Sequence, residues 1–307
     1  MAGYNKNIIY LTLFGVSGIV LYLVLYFKIT QGYNTFGKYE DPYNQTFCST
    51  RRSINPGEKK EKYITVDSLR YKHYITLTEP RSGSTLFVSL LKQHPSVRDH
   101  FELLQSHNLK REHVTIHSSN EAFKYVKAKL SKNSQNITTG FKLFCVDVKT
   151  WNTSLAEFID LLDRPAIIIL YRQNILEQFV SFKVAMQNQA WNSKMKLKPN
   201  SSRLVFDIEQ FKAFVLETKK RWSDALKTLK GYNDTYVLKY VDLSSDPFKE
   251  VQKVYDFLGF EQYDSKQFKV EFKKQGTLPL SKRISNYASI ENEISKLKSF
   301  YMLEIEL

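Results

Sequence analysis

His73-Tyr74-Ile75-Thr76-Leu77-Thr78-Glu79-Pro80-Arg81-Ser82-Gly83-Ser84-Thr85-Leu86-Phe87-Val88 is the stretch on which the fold turns. His73 to Thr78 reads as a strand. A helix follows, with Ser84 or Thr85 near its start and Leu86, Leu90 and Leu91 on one face. Between them, Glu79 to Thr85 makes a tight turn containing glycine, which aims several backbone N–H groups and a helix N-terminus at one point. That arrangement suits a phosphate. Ser82, Ser84 and Thr85 add hydroxyl donors, and Arg81 adds a forked cation. The Gly-x-x-x-x-Gly-Lys-Ser/Thr spacing of nucleoside-triphosphate loops is absent. An ordinary polar turn capped by serine is the alternative that the loop alone leaves open.

Outward from this stretch, short apolar runs alternate with amphipathic helical ones, the pattern of βαβ units and a mainly parallel sheet flanked by helices. Further strands are expected at Gly140 to Val148, Ala166 to Tyr171 and Tyr236 to Tyr240. Helices are expected from about Asn174 to Met186, from Asp207 to about Lys230, and from Pro247 to about Phe257. The last has proline in its first turn and Gly259 just beyond its end. The run Ile167-Ile168-Ile169-Leu170 reads as buried on both faces. Arg172 then falls where that strand leaves the sheet, the edge at which α/β proteins bind ligands. Ser181, nine residues on in the next helix, can turn back to the same edge, so the pair is a plausible grip for a second phosphate. Taken alone, an arginine at a strand end and a serine in a helix are usually structural.

Together the two constellations resemble the signature segments of sulfotransferases that use 3′-phosphoadenosine 5′-phosphosulfate (PAPS), and within them the carbohydrate and glycolipid branch. The resemblance implies a P-loop-like sulfotransferase fold. It implies that Arg81, Ser82, Gly83, Ser84 and Thr85 hold the 5′-phosphosulfate, and that Arg172 and Ser181 hold the 3′-phosphate. Other segments agree in order: Leu91-Lys92-Gln93-His94-Pro95, His100-Phe101-Glu102-Leu103-Leu104, Gly140-Phe141-Lys142-Leu143, Tyr240-Val241-Asp242-Leu243, Asp246-Pro247, Phe257-Leu258-Gly259, and Lys274-Gln275-Gly276 through Ser285-Asn286-Tyr287. Phe101 stands where the branch usually has glycine, which would narrow the acceptor site or shift Glu102. The resemblance makes Glu102 the candidate base, provided burial raises its pKa. His100 is the runner-up, since imidazole titrates nearer neutrality. Arg81 would offset charge on the bridging oxygen. PAPS is thus the expected donor co-substrate. The remaining histidines (His73, His94, His107, His113 and His117) show no metal-ligand spacing, and no metal is expected.

The 307-residue chain carries a net charge of +14, which predicts attraction to an anion without choosing among nucleotide, membrane, nucleic acid and acidic glycan. Lys194-Met195-Lys196-Leu197-Lys198 would steer an acidic acceptor, although a solvated lysine-rich loop with no ligand is the default reading of that run. Ile8 to Phe27 is an uncharged run of 20 residues, matching the hydrocarbon thickness of a bilayer. Bulky residues and Lys28 follow it directly, which favours an uncleaved transmembrane anchor over a signal peptide. The expected organisation is a short cytoplasmic tail (1–7), an anchor (8–27), a polar stem (28–68) and a sulfotransferase domain (69–307). Five glycosylation sequons follow the span, at Asn44, Asn136, Asn152, Asn200 and Asn233, against about two expected by chance. They point to a luminal body, and with the resemblance to a single-pass type II Golgi membrane protein. Cys145 is expected as a buried free thiol in a strand rather than paired with Cys48.

The expected activity is sulfuryl transfer to a hydroxyl or amine of a carbohydrate or glycoconjugate acceptor. Two other classes stay open on sequence: a P-loop-like small-molecule kinase, and a non-catalytic glycan-binding protein of the same fold. No nucleic-acid module is visible, and an anchored luminal body would not meet DNA. Nothing in the sequence indicates an oligomeric state.

Overall fold

The computed structural model describes residues 69–131, 136–191, 203–261, 263–272 and 278–307. The expected anchor at 8–27, the stem at 28–68, Cys48, the lysine run 194–198 and Lys274-Gln275-Gly276 lie outside the described residues. No helix among the described residues is long and apolar enough to cross a membrane.

The described elements run β1 (His73–Thr78), α1 (Ser84–Leu91), β2 (Val97–Asp99), α2 (Ser106–Arg111), α3 (Ser119–Leu130), β3 (Thr138–Phe144), α4 (Cys145–Thr150), α5 (Leu155–Leu161), β4 (Ala166–Tyr171), α6 (Ile175–Asn188), α7 (Ile208–Leu229), β5 (Thr235–Lys239), α8 (Tyr240–Ser245), α9 (Pro247–Leu258), α10 (Leu280–Arg283), α11 (Tyr287–Lys296) and α12 (Lys298–Tyr301). The strands form one sheet in the order β2-β3-β1-β4-β5, with parallel pairing throughout. β1 therefore sits between β3 and β4, and the chain crosses over it in going from one to the other. That makes the carboxyl end of β1 a topological switch point, where open α/β sheets place their ligands.

Helices cover both faces, and alternation along the strands sorts the core between them. Ile75 and Leu77 of β1, with Ile167 and Ile169 of β4, face the layer that holds α3, α5, α6 and α7. Tyr74, Ile168 and Leu170 face the opposite layer, with α1 and α9. All six residues of β1 and of β4 are buried, as the apolar run of β4 predicts; in β1 they include His73, Thr76 and Thr78. Helix ends follow their capping signals. Asn174 accepts from Glu177 N, Asp207 from Gln210 N and Asp246 from Lys249 N, and Gly259 closes α9 at φ 82°.

One expectation is corrected. The run Gly140 to Val148 is not a single strand: β3 starts earlier, at Thr138, and ends at Phe144, and Cys145 opens α4. The Asp147 carboxylate accepts from the Phe144 backbone N–H at 3.2 Å, which stabilises a helix start where hydropathy alone continues the strand. Cys145 is buried and free, as expected, but in a helix.

Residues 302–305 return to the sheet at the exit of β4. Leu303 N bonds Gln173 O at 2.9 Å and Met302 bridges Asn174. Glu304 accepts from Tyr171 Oη at 3.1 Å, from Gln173 Nε2 at 2.7 Å and from Lys239 Nζ at 3.2 Å. The loop that carries Arg172 is thereby pinned on its outer side.

Candidate active site

The β1–α1 loop turns twice through the left-handed region, at Arg81 (φ 68°) and Gly83 (φ 85°). Gly83 is the N-cap of α1 and offers no side chain to the first-turn N–H groups, which therefore remain available to an anion. A side chain at Gly83 is excluded twice over: by its φ, and because a Cβ would lie 2.4 Å from Cδ2 of Tyr240. The loop is anchored beneath by Glu79, which is 2% exposed and receives Arg221 Nε at 2.6 Å and Nη2 at 3.2 Å. Gln178 of α6 donates to the Pro80 carbonyl at 2.8 Å and to Ser82 Oγ at 3.4 Å.

The residues expected from sequence converge here. Arg81 Nε donates to Ser181 Oγ at 3.0 Å, and its Nη1 donates to the Trp191 carbonyl. Arg172 Nη1 reaches the Arg81 carbonyl at 3.4 Å, and its guanidinium lies 4.8 Å from the centre of the Tyr240 ring. The two phosphate grips expected separately thus share Arg81. Thr85 is half-buried in the first turn of α1, and Ser84 beside it is buried.

Glu102 lies on the far side of the loop. Lys142, buried at the centre of β3, places Nζ 2.5 Å from Glu102 Oε1 and 3.3 Å from Ser84 Oγ. His107 Nε2 is 3.7 Å from the other carboxylate oxygen. Burial pushes the Glu102 carboxyl up, but Lys142, His107 and Arg81 together outweigh burial and hold it below its ordinary value. This runs opposite to the sequence expectation that burial raises it, because that expectation contained no lysine. The carboxylate is therefore ionised at neutral pH, but as a weaker proton acceptor than a carboxyl raised by burial would be.

His100 has different company. Burial first, then Lys129 and Arg98, lower its pKa against the opposing effect of Glu112, a set that shares no member with that of Glu102. Its Nε2 is buried with no hydrogen-bond partner among the described residues. Glu102 is coupled to the anion loop through Lys142.

Phe101 adopts φ 53°, a conformation that glycine takes freely. Its N–H donates to Asp99 Oδ1 at 2.6 Å, and its carbonyl accepts from Lys142 N at 2.8 Å. These bonds offset a left-handed cost of about 1 kcal/mol for a non-glycine residue. This left-handed turn at Phe101 leads directly into Glu102. Asp99 also accepts from Tyr74 Oη at 2.7 Å, and burial raises its pKa to about 6. No metal-binding group of His, Cys, Asp or Glu occurs among the described residues.

Sequence reasoning missed the roles of Lys142, Gln178, Glu177, Arg221 and Tyr240. Lys142 and Tyr240 lay inside recognisable segments, and a lysine flanked by apolar strand residues is itself a signal, because lysine is rarely buried unpaired.

A family model described as a sulfotransferase domain matches residues 71–302. Among curated proteins nothing matches. Among solved structures, a sulfotransferase from Alicyclobacillus acidocaldarius is similar at 13% identity, over 77% of this chain and 97% of that one, with a TM-score of 0.42. The sulfotransferase domain of the Synechococcus PCC 7002 olefin synthase is similar at 17% identity, over 78% and 91%, with a TM-score of 0.37. A mouse sulfotransferase complexed with PAP is similar at 15% identity, over 65% and 63%, with a TM-score of 0.36.

Proposed function

Since the chain belongs to the sulfotransferase family, we propose that it transfers the sulfuryl group of PAPS to a hydroxyl or amine of a carbohydrate or glycoconjugate, with Glu102 as base. The observation that carries this reading is Lys142, whose Nζ meets both Glu102 Oε1 and Ser84 Oγ. Base and anion loop thus meet at one buried cation. The residues fit a doubly phosphorylated nucleotide. Gly83 leaves backbone N–H groups clear at the α1 N-terminus, and Arg172 stands as a nearly buried cation beyond Arg81.

When bound, the donor supplies an activated sulfuryl group on a phosphate leaving group. Ser82 to Thr85 and the start of α1 hold the phosphosulfate, and Arg81 offsets charge on the bridging oxygen. Arg172 and Ser181 hold the 3′-phosphate. Glu102, ionised by its ion pair, takes the proton of the attacking acceptor group as the acceptor aligns in line with the leaving oxygen. Lys142 offsets charge on the transferring oxygens from the opposite side of Ser84. No step requires a metal.

The net charge of +14 is compatible with an acidic glycan among the acceptors but does not single one out. The favoured setting is a type II Golgi membrane protein with a luminal body, resting on the apolar run 8–27 and on the sequons. Asn136, Asn152 and Asn233, the sequon asparagines among the described residues, are all exposed.

The test is incubation of the full chain, purified in detergent, with radiolabelled PAPS and a panel of glycans. Transfer to at least one glycan is expected. Glu102→Ala should abolish transfer and spare binding of 3′-phosphoadenosine 5′-phosphate, whereas Arg172→Ala should weaken that binding first. Absence of both transfer and bisphosphate binding overturns the proposal. Binding without transfer to any acceptor favours a glycan-binding protein, and phosphoryl transfer from ATP with magnesium favours a kinase.

A further inference from the structure

Two buried guanidiniums share one carboxylate beside the exit of β4. Arg172 is 9% exposed and gives Nη2 to Glu177 Oε2 at 3.3 Å. Arg283, at the end of α10, is 6% exposed and gives Nη2 to both Glu177 oxygens, at 2.6 and 2.5 Å. The Nε of Arg283 is occupied by the Leu278 carbonyl at 2.9 Å. Glu177 is fixed in the first turn of α6, where its N–H donates to Asn174 Oδ1 at 3.0 Å.

Among the described residues the cluster is uneven in charge: two cations face one anion where water is largely excluded. Burial lowers the pKa of Arg172, Tyr240 and Glu177 work against that shift, and Arg283 adds to it. Such an excess is unfavourable unless a further anion completes it. A carboxylate and a phosphate present similar oxygen edges to a guanidinium fork, but the phosphate carries more charge and a third oxygen. The Glu177 side chain, 22% exposed, also has a route to solvent.

We propose that Glu177 is a built-in stand-in for the nucleotide 3′-phosphate: it keeps Arg172 and Arg283 assembled before a nucleotide binds, and the 3′-phosphate displaces it and takes both guanidiniums. Arg283 is then a second cation of that subsite, contributed from 111 residues beyond Arg172. The inference rests on the reading above, in which a nucleotide bearing a 3′-phosphate binds at Arg172. No covalent bond is made or broken. Glu177 competes with the donor and with the bisphosphate product alike, so it lowers affinity for both and hastens product departure.

The test compares dissociation constants of the full chain, in detergent, for 3′-phosphoadenosine 5′-phosphate and for 5′-AMP, which lacks the 3′-phosphate. Glu177→Gln should tighten the bisphosphate about tenfold, the effect of one charged competitor, and leave 5′-AMP unchanged. Arg283→Gln should cut the preference for bisphosphate over 5′-AMP about tenfold. If Arg283→Gln does not fold, Arg283→Lys keeps the charge without the fork and should lower the preference about threefold. Glu177→Gln binding the bisphosphate no tighter than wild type overturns the inference, as does a folded Arg283 variant with its preference intact. Wild-type protein without any preference for the bisphosphate overturns the reading beneath it. A preference lost in Arg172→Ala but unmoved by the Glu177 and Arg283 variants overturns only the present inference.

Discussion

Replacing Arg221 with methionine leaves the Glu79 carboxylate, 2% exposed, without the guanidinium that meets it at 2.6 and 3.2 Å. Arg221 is itself 7% exposed and also donates to Thr218 Oγ1 at 3.2 Å, so the pair is desolvated and fully engaged. Breaking such a pair from one side strands a buried charge, at a cost of about 3–5 kcal/mol. In a domain of this size each kcal/mol lowers the melting temperature by about 2–4 °C, so Arg221→Met should melt roughly 6–20 °C below wild type. The control is the double variant Glu79→Met with Arg221→Met, which removes both charges and keeps the volume. A buried pair exchanged for apolar groups is often neutral or stabilising, so the double variant should recover to within about 4 °C of wild type. Scanning calorimetry of the three proteins in the same detergent, at neutral pH, reads both quantities. Two results would refute the reasoning: a single variant within about 2 °C of wild type, or a double variant as unstable as the single. The first would mean that water reaches the site, and the second that the loss lies in packing rather than charge. Glu79 follows the last residue of β1, so the single variant should also weaken nucleotide binding at the loop above it.

Gly83→Ala should reduce nucleotide affinity at least tenfold in titration, because its φ of 85° and the Tyr240 ring 2.4 Å from the new Cβ both force the loop to move; such a loss corresponds to about 1.4 kcal/mol. The companion Tyr240→Ala should restore part of it, and full affinity in Gly83→Ala alone would contradict the packing. Lys142→Met removes the cation that most opposes burial at Glu102, so the carboxyl rises. The base is then ionised only at higher pH, and the acid limb of the kcat/KM profile should move upward; an unmoved limb in an active variant would show that Lys142 does not set it. Asp147, raised from 3.8 to about 7 chiefly by burial, prefers to be neutral in the folded state. Its contribution is fully present below pH 3.8 and is lost as pH rises through about 7. Denaturant melts of Asp147→Asn should therefore decline less between pH 5 and pH 8 than those of wild type, and parallel slopes would refute the assignment.

The parts legible in the sequence were those fixed by local chemistry. β4 announces itself because its run from Ala166 to Leu170 is apolar at every position, β1 because Tyr74, Ile75 and Leu77 stand among threonines that strands accept readily, and α9 is bracketed by Pro247 and Gly259. The β3–α4 boundary was hidden because the apolar run continues across it, while the deciding signal is Asp147, whose carboxylate caps the Phe144 N–H. β2 escaped notice because its three residues need the neighbouring β3 to become a strand. In the site, Arg81, Ser82, Gly83, Ser84 and Thr85 could be read as one loop, and Arg172 as a strand end. Lys142 and Arg283 could not be given roles, since Glu102 lies 40 residues from the one and Glu177 106 residues from the other, and only the tertiary fold brings them together. The ionisation of Glu102 failed for the same reason: the sign of its shift is decided by a residue on another strand.

The return of residues 302–305 to the exit of β4 bears on the order in which the molecule can become competent. Gln173 and Glu304 meet across 131 positions, and Tyr171 and Glu304 across 133. A ribosome delivers the β1–α1 loop early, and the sheet around it can form while the remainder is still being made. The Arg172 loop, by contrast, lacks its outer support until more than a hundred further residues have emerged. Nascent chains halted before residue 300 should therefore carry a formed sheet with a slack second phosphate grip, making nucleotide capture one of the last properties this domain acquires during synthesis.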